Sequence, residues 1–248
     1  MSTGIVVRKC AGIEEFQRCV ALQREIWGEE DIEVEPATLF VVATETGGQV
    51  LGAFDGEELV GYTLALVGFA DGTVFLHSHM TGVHGDYRDR GVGRRLKLFQ
   101  REEALGRGIR LIVWTFDPLE TRNAHFNLNR LGAIARKYLP NLYGLTTSPV
   151  HLGLPTDRLR VEWQLDSPRV VGAVSDLRTE PDAASFAARI ELPAELARWK
   201  QSDTARVARV QARIREEFSA WFARGYAAVG VGKSSESAAY LLTPWSDF

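Results

Sequence analysis

The segment Val83-His84-Gly85-Asp86-Tyr87-Arg88-Asp89-Arg90-Gly91-Val92-Gly93-Arg94-Arg95-Leu96 constrains this chain more than any other. An extended run from Val74 to Val83 leads into it, and a helical pattern follows out to Leu105. A strand, a glycine-bearing turn and a helix in that order bring several backbone N–H groups to one point. Those donors lie ahead of the helix's own ladder of bonds, and with the positive end of the helix dipole they form an anion site. Gly91 and Gly93 carry no Cβ, so a bulky anion can reach the main chain. Val92, Leu96 and Phe99 fall at i, i+4 and i+7, an apolar face for docking on a sheet. Arg94, Lys97 and Arg101 are expected on the opposite side. The turn is suited to a phosphate.

The elements around the turn read as follows. Ile5 to Lys9 is a short strand, and Ile13 to Trp27 a helix stopped by Gly28. The acidic stretch 29–33 reads as a loop, and Pro36 opens a second helix at its first turn. Val50 to Phe54 and Leu59 to Val67 flank an Asp55-Gly56 turn, the pattern of a β-hairpin. Thr73 to Val83 returns as a third antiparallel strand into the phosphate turn. The helix 91–105 ends at Gly106 and Gly108, and Leu111 to Phe116 is a buried-type strand. Thr121 is placed to cap a short helix ending at Gly132.

Here the sequence meets a known family. Arg88-x-x-Gly91-x-Gly93 after a strand ending at Val83 resembles the pyrophosphate-binding signature of the GNAT acetyltransferase superfamily. The longer match from Val83 to Gly93 departs from it at Gly85, where the family often carries proline. The meander–helix–strand order agrees with the GNAT layout independently of the glycines. The resemblance implies an α/β fold of the GNAT type, a mixed and mostly antiparallel sheet with helices on both faces. It implies acetyl-CoA or coenzyme A as cofactor. Val83, Arg88, Asp89, Arg90, Gly91, Val92, Gly93 and Arg94 would hold the pyrophosphate and pantetheine, with Asn123 and Phe126 beside the pantetheine arm. Leu128 stands where many members carry the tyrosine that protonates the departing thiolate. Tyr138 and Tyr143 are candidates to replace it or to line the acceptor site; aromatic packing or a surface loop is their other reading. In the GNAT fold the first two helices wall the acceptor site, so Trp27 and its neighbouring carboxylates are candidates for gripping a cationic amine; a core tryptophan beside a solvated acidic loop is the alternative.

Acylation of an amine requires a neutral amine, a positioned thioester, donors for the developing oxyanion and a proton path. Many members use a carboxylate from the strand before the turn, and no residue from Val74 to Val83 is one. His77 and His79 lie two apart there, on one face. A neutral imidazole at His79 could take the ammonium proton, with an unperturbed pKa of about 6.5; a polar strand face satisfied by its neighbours is its other reading. His77 reads rather as part of a polar strand face. No metal is expected, since a third ligand is missing nearby.

The rest of the 248 residues is read more coarsely. Arg158 to Leu165 alternates as a strand that could close the sheet, giving an acetyltransferase-like domain over 1–165. Residues 166–200 look like a connector with one or two short helical turns. Ser202-Asp203 caps a long helix whose Val207, Val210, Ile214, Phe218 and Trp221 keep helical spacing as far as Gly225. Two strands, 226–232 and 238–242, follow. This α/β extension, 166–248, either adds to the sheet or donates a strand to a partner subunit in a homodimer. Gly230-Val231-Gly232-Lys233-Ser234 imitates the end of a P-loop, but Ala227 stands where its first glycine belongs and no helix fits behind it.

A net charge of −3 speaks against nucleic acid as the partner. Two cysteines, Cys10 and Cys19, imply no disulfide framework. No apolar run approaches a membrane span, so the chain reads as a soluble cytoplasmic protein. Its acceptor would be a small-molecule or peptide amine. An acyl-CoA-binding regulator without turnover is the alternative, suggested by Leu128 and by the strand without a carboxylate.

Overall fold

The computed structural model describes residues 4–28, 34–144, 146, 152–175, 186, 188–233 and 237–245. The acidic stretch 29–33 and Ser234 lie outside the described residues. The chain packs as two units that part between Val113 and Trp114.

The first unit is a twisted antiparallel meander with helices on both faces. Strand β1 (Val6–Lys9) pairs with β2 (Gln49–Asp55), β2 with β3 (Glu58–Ala70), and β3 with β4 (Thr73–Val83). The β2–β3 turn is Gly56-Glu57, with Gly56 supplying a φ of 62°. Alternation on β2 explains the two-sided core. Val50 and Phe54 face helices α1 (Gly12–Trp27) and α2 (Ala37–Glu45), joining Phe16, Leu22 and Phe40. Leu51 and Ala53 face the other way, against Val92 and Leu96 of α3 (Val92–Gly106). Pro36 is the cap of α2 and not its first helical residue, because its ψ of 154° is still extended. Strand β5 (Leu111–Phe116) begins here, parallel to β4 through Leu76↔Ile112 and His77↔Val113.

In the second unit α4 (Thr121–His125) runs into a π-helical turn, Phe126–Arg130, where Leu131 N–H bonds Phe126 C=O. The cap position is Glu120, without a side-chain bond, so the expected capping by Thr121 does not occur. Strands β6 (Ile134–Leu139) and β7 (Arg158–Gln164) pair antiparallel. The extension adds α5 (Pro168–Val174), β8 (Ala188–Pro193), α6 (Leu196–Ser202), α7 (Thr204–Ala223), β9 (Tyr226–Lys233) and β10 (Ser237–Pro244). Strand β8 falls where a connector with helical turns was expected. Ala188, Ile190 and Leu192 point inward and the intervening charges outward. Strand β9 pairs with β6 of the same chain at Ala135↔Ala228, and β10 bridges β9 and β8. The extension therefore adds to its own sheet. Gly230, Val231 and Gly232 are strand residues of β9, which removes the loop geometry a phosphate would need. Asp203 caps α7 as expected, accepting from Arg206 N–H at 3.1 Å.

Candidate active site

The turn between β4 and α3 is built by two residues in the left-handed region. Asp89 has φ 64° and Gly91, the cap of α3, φ 77°. A single 3₁₀ turn, Gly85–Tyr87, precedes them. The turn is anchored from outside: Tyr87 O–H donates to Asp55 Oδ2 at 3.0 Å, and Arg95 donates to Ile5 C=O. The first helical bond is Arg95 N–H to Gly91 C=O, 3.0 Å. The amides of Gly91, Val92, Gly93 and Arg94 consequently precede the helix's ladder. A Cβ built on Gly91 would meet nothing within 4 Å, and one on Gly93 only Val83 Cγ2 at 3.8 Å. The amides stand beside open space, as an anion cradle requires.

Strand β4 leads to that turn. Its register with β5 covers Leu76 and His77. His84 N–H donates to Val60 C=O at 2.9 Å. Alternation then turns the backbone groups of Thr81 and Val83 away from β3. Arg88 Nε donates to the Val83 carbonyl at 3.3 Å.

His79 sits in a β-bulge. Leu64 opposes Met80 and Ala65 opposes Ser78, so His79 is the extra residue on β4. A bulge re-aims its side chain and is frequent beside active sites. His79 Nε2 lies 2.8 Å from Glu35 Oε1, and both side chains are about one-quarter to one-third exposed (27% and 30%). The His77 ring is 6.2 Å from that of His79. Glu35 was not among the residues the sequence singled out. It lies outside the strand, in the approach to α2, and only folding brings it to His79. Trp27, at the end of α1, crosses Tyr62 edge-on at 6.3 Å and lies over Gly82, where a Cβ would come within 2.8 Å of its ring.

Lys97 contradicts its expected outward orientation. It is 3% exposed, and its Nζ donates to Ser78 Oγ at 3.0 Å and Gln100 Oε1 at 2.8 Å. Burial alone pushes its ammonium down to about 7. The buried stripe of α3 runs Val92, Leu96, Lys97, Gln100, Ala104, so two polar residues occupy positions that a hydropathy pattern assigns to solvent.

A family model described as the acetyltransferase (GNAT) family matches residues 14–132. Over those residues the sequence matches a GNAT acetyltransferase domain. Solved structures agree at the level of fold. The ribosomal-protein-S18-alanine N-acetyltransferase from Escherichia coli aligns with TM-score 0.53 and 11% identity, over 66% of this chain and 96% of that one. Arabidopsis thaliana Naa50, in complex with a bisubstrate analogue, gives 0.51 and 13%, over 64% and 97%. YncA, a putative acetyltransferase from Salmonella typhimurium with its cofactor acetyl-CoA, gives 0.52 and 18%, over 73% and 99%. A search of curated proteins returns no match.

The first unit thus holds Trp27, His79, Val83 and Arg88 to Arg94 of the expected GNAT site, together with Glu35. The remaining candidates lie in the second unit. Asn123 is exposed on α4, its Oδ1 accepting from Asn127 at 3.2 Å, and Phe126 is half-buried at the start of the π-turn. Leu128 is fully buried. Tyr138 is buried, its hydroxyl donating to Asp157 Oδ2 at 2.7 Å; burial and that bond push its pKa up. Tyr143 is 48% exposed, its hydroxyl 3.0 Å from Thr115 Oγ1. Among the described residues no group of three or more His, Cys, Asp or Glu could hold a metal ion. Cys10 and Cys19 are both buried free thiols, and no helix among the described residues is long and apolar enough to cross a membrane.

Proposed function

We propose that the protein is a coenzyme A-dependent acyltransferase that moves acetyl from acetyl-CoA to an amine of a small-molecule or peptide acceptor. The acetyltransferase part would span residues 1–165, with 166–248 as its extension. The observation that carries the reading is the amide cradle: four main-chain N–H groups at the cap and first turn of α3, opening beside Gly91 onto free space. That arrangement suits a pyrophosphate. YncA, of the same fold, holds acetyl-CoA as its cofactor.

Acetyl-CoA supplies a thioester whose carbonyl carbon an amine can attack. The residues of this chain then divide the work. Val83 and the backbone from Arg88 to Arg94 bind the diphosphate, Asn123 and Phe126 flank the pantetheine, and the backbone of β4 facing away from β3 orients the thioester carbonyl toward a backbone donor. His79 receives a proton from the incoming ammonium, and Trp27 walls the acceptor. Calorimetry with coenzyme A should give saturable one-site binding, and acetyl-CoA with a panel of amines should release thiol for at least one acceptor. Absence of coenzyme A binding would end the reading.

Leu128 supports a second reading, an acyl-CoA-binding regulator without turnover. It is fully buried at the place of the family's acid, and a leucine cannot protonate a thiolate. Binding of acetyl-CoA with no thiol release across the panel would favour that reading.

A further inference from the structure

We infer that Glu35 is a positioning residue for His79, and that the two act as one proton-accepting dyad; the inference rests on the acyl-transfer reading above. The geometry that carries it is the 2.8 Å approach of His79 Nε2 to Glu35 Oε1 across two separate elements. Neither partner is placed there by chance packing of long side chains. His79 is the extra residue of the β4 bulge, so its backbone departs from the plain alternation of the strand. Glu35 is held between Val34, 9% exposed, and Pro36, whose ring confines the preceding residue to extended backbone. Leu39 N–H closes onto Pro36 C=O at 2.9 Å and fixes the start of α2 behind it.

The chemistry follows from the donor inventory. A carboxylate only accepts, so in the neutral imidazole the proton shared with Glu35 sits on Nε2, and the lone pair is left on Nδ1. Nδ1 is therefore the basic atom, and the carboxylate fixes both the tautomer and the ring orientation, as in other carboxylate–histidine pairs. Glu35 thereby supplies from the loop what the strand lacks. In the transfer, the acceptor enters as an ammonium and gives one proton to Nδ1. The amine nitrogen then forms the C–N bond, and the C–S bond breaks with its electron pair on sulfur. One of the two protons left on the nitrogen passes to the thiolate, the other stays on the amide, and His79 returns its proton to solvent. The balance is one ammonium and one thioester in, one amide, one thiol and one proton out. His77, with its ring 6.2 Å away, has no assigned part in this.

The test uses the full chain with ¹⁵N-labelled histidine, alongside Glu35→Ala, Glu35→Gln and His79→Ala. Ring ¹⁵N shifts of His79, assigned by their loss in His79→Ala, should report the Nε2–H tautomer in the wild type. Glu35→Ala should give a mixture of tautomers with backbone spectra otherwise preserved. With whichever amine of the panel releases thiol from acetyl-CoA, Glu35→Gln should lower kcat on the order of 10²-fold while the KM for acetyl-CoA stays within about twofold. An unchanged tautomer in Glu35→Ala, or an unchanged kcat in Glu35→Gln, overturns the dyad. If no amine of the panel releases thiol, the acyl-transfer reading fails and the tautomer measurement still decides whether Glu35 positions His79.

Discussion

Two polar clusters, one in each unit, show what separates a site from a strut. In the second unit Asp157 is 1% exposed and fully engaged. It takes Arg215 through two bonds of 2.9 Å, the Tyr138 hydroxyl at 2.7 Å and the Asn141 amide at 2.9 Å. The Arg215 guanidinium beside Asp157 is raised in turn by that pairing. Every strong acceptor there is spent inside the protein, and the cluster is roofed by the Tyr138–Phe218 stack at 5.6 Å. In the first unit, His79 and Glu35 meet once, at about 30% exposure, and among the described residues neither side chain has another hydrogen bond. A buried and saturated network holds a fold; a half-exposed pair with open valence can work on something else.

That contrast is sharpest under mutation. Asp157→Ala should be the costliest change. It would leave the buried Tyr138 hydroxyl and the Asn141 amide without their acceptor, and Arg215 without its carboxylate, at about 3–5 kcal/mol of stability in denaturant unfolding. His79→Ala, at a half-exposed site, should alter stability by less than about 1 kcal/mol while abolishing most thiol release. A stability loss in His79→Ala equal to that in Asp157→Ala would erase the distinction.

Lys97 is a third case, a buried charge with hydrogen bonds to neutral groups. Between pH 7 and about 10.4 the unfolded chain holds more protons at this position than the folded one. Stability should therefore rise with pH through that window, and below it the full cost of burying the ammonium is present. Lys97→Met should flatten this slope and stabilise the protein at neutral pH by about 1–3 kcal/mol, measured as the pH dependence of the unfolding midpoint.

The smallest stability effects belong to the glycines of the turn, and they separate folding from binding. Gly91→Ala must adopt a φ of 77° and should cost about 1 kcal/mol. Gly93→Ala meets only an ordinary contact at 3.8 Å and should leave the melting temperature unchanged or slightly higher. Both should weaken coenzyme A binding about tenfold or more, read by calorimetry, because each adds a methyl group to the open space beside the turn. Gly93→Ala binding coenzyme A as tightly as the wild type would move the cradle elsewhere.

Much of this molecule is written locally. The strand–turn–helix at 74–105, the β2–β3 turn, the Asp203 cap and the strand at 158–164 follow from glycine placement, periodicity and capping, all of which act within a few residues. Thr121 and Pro36 were misplaced by one position because cap chemistry permits neighbours. Strand β8 has only six residues, ending in a proline, so its alternation is too short to mark a strand in the sequence.

The sequence alone determined the amide cradle, since a left-handed glycine ahead of a helix fixes the directions of the next N–H groups whatever surrounds them. Tertiary structure alone decided which side chains share a site. Glu35 reaches His79 across 44 positions of chain, and Lys97 is turned into the core with Ser78, because strand register and helix docking set those distances. Register depends on the summed burial of whole faces, a quantity that no short stretch of sequence contains.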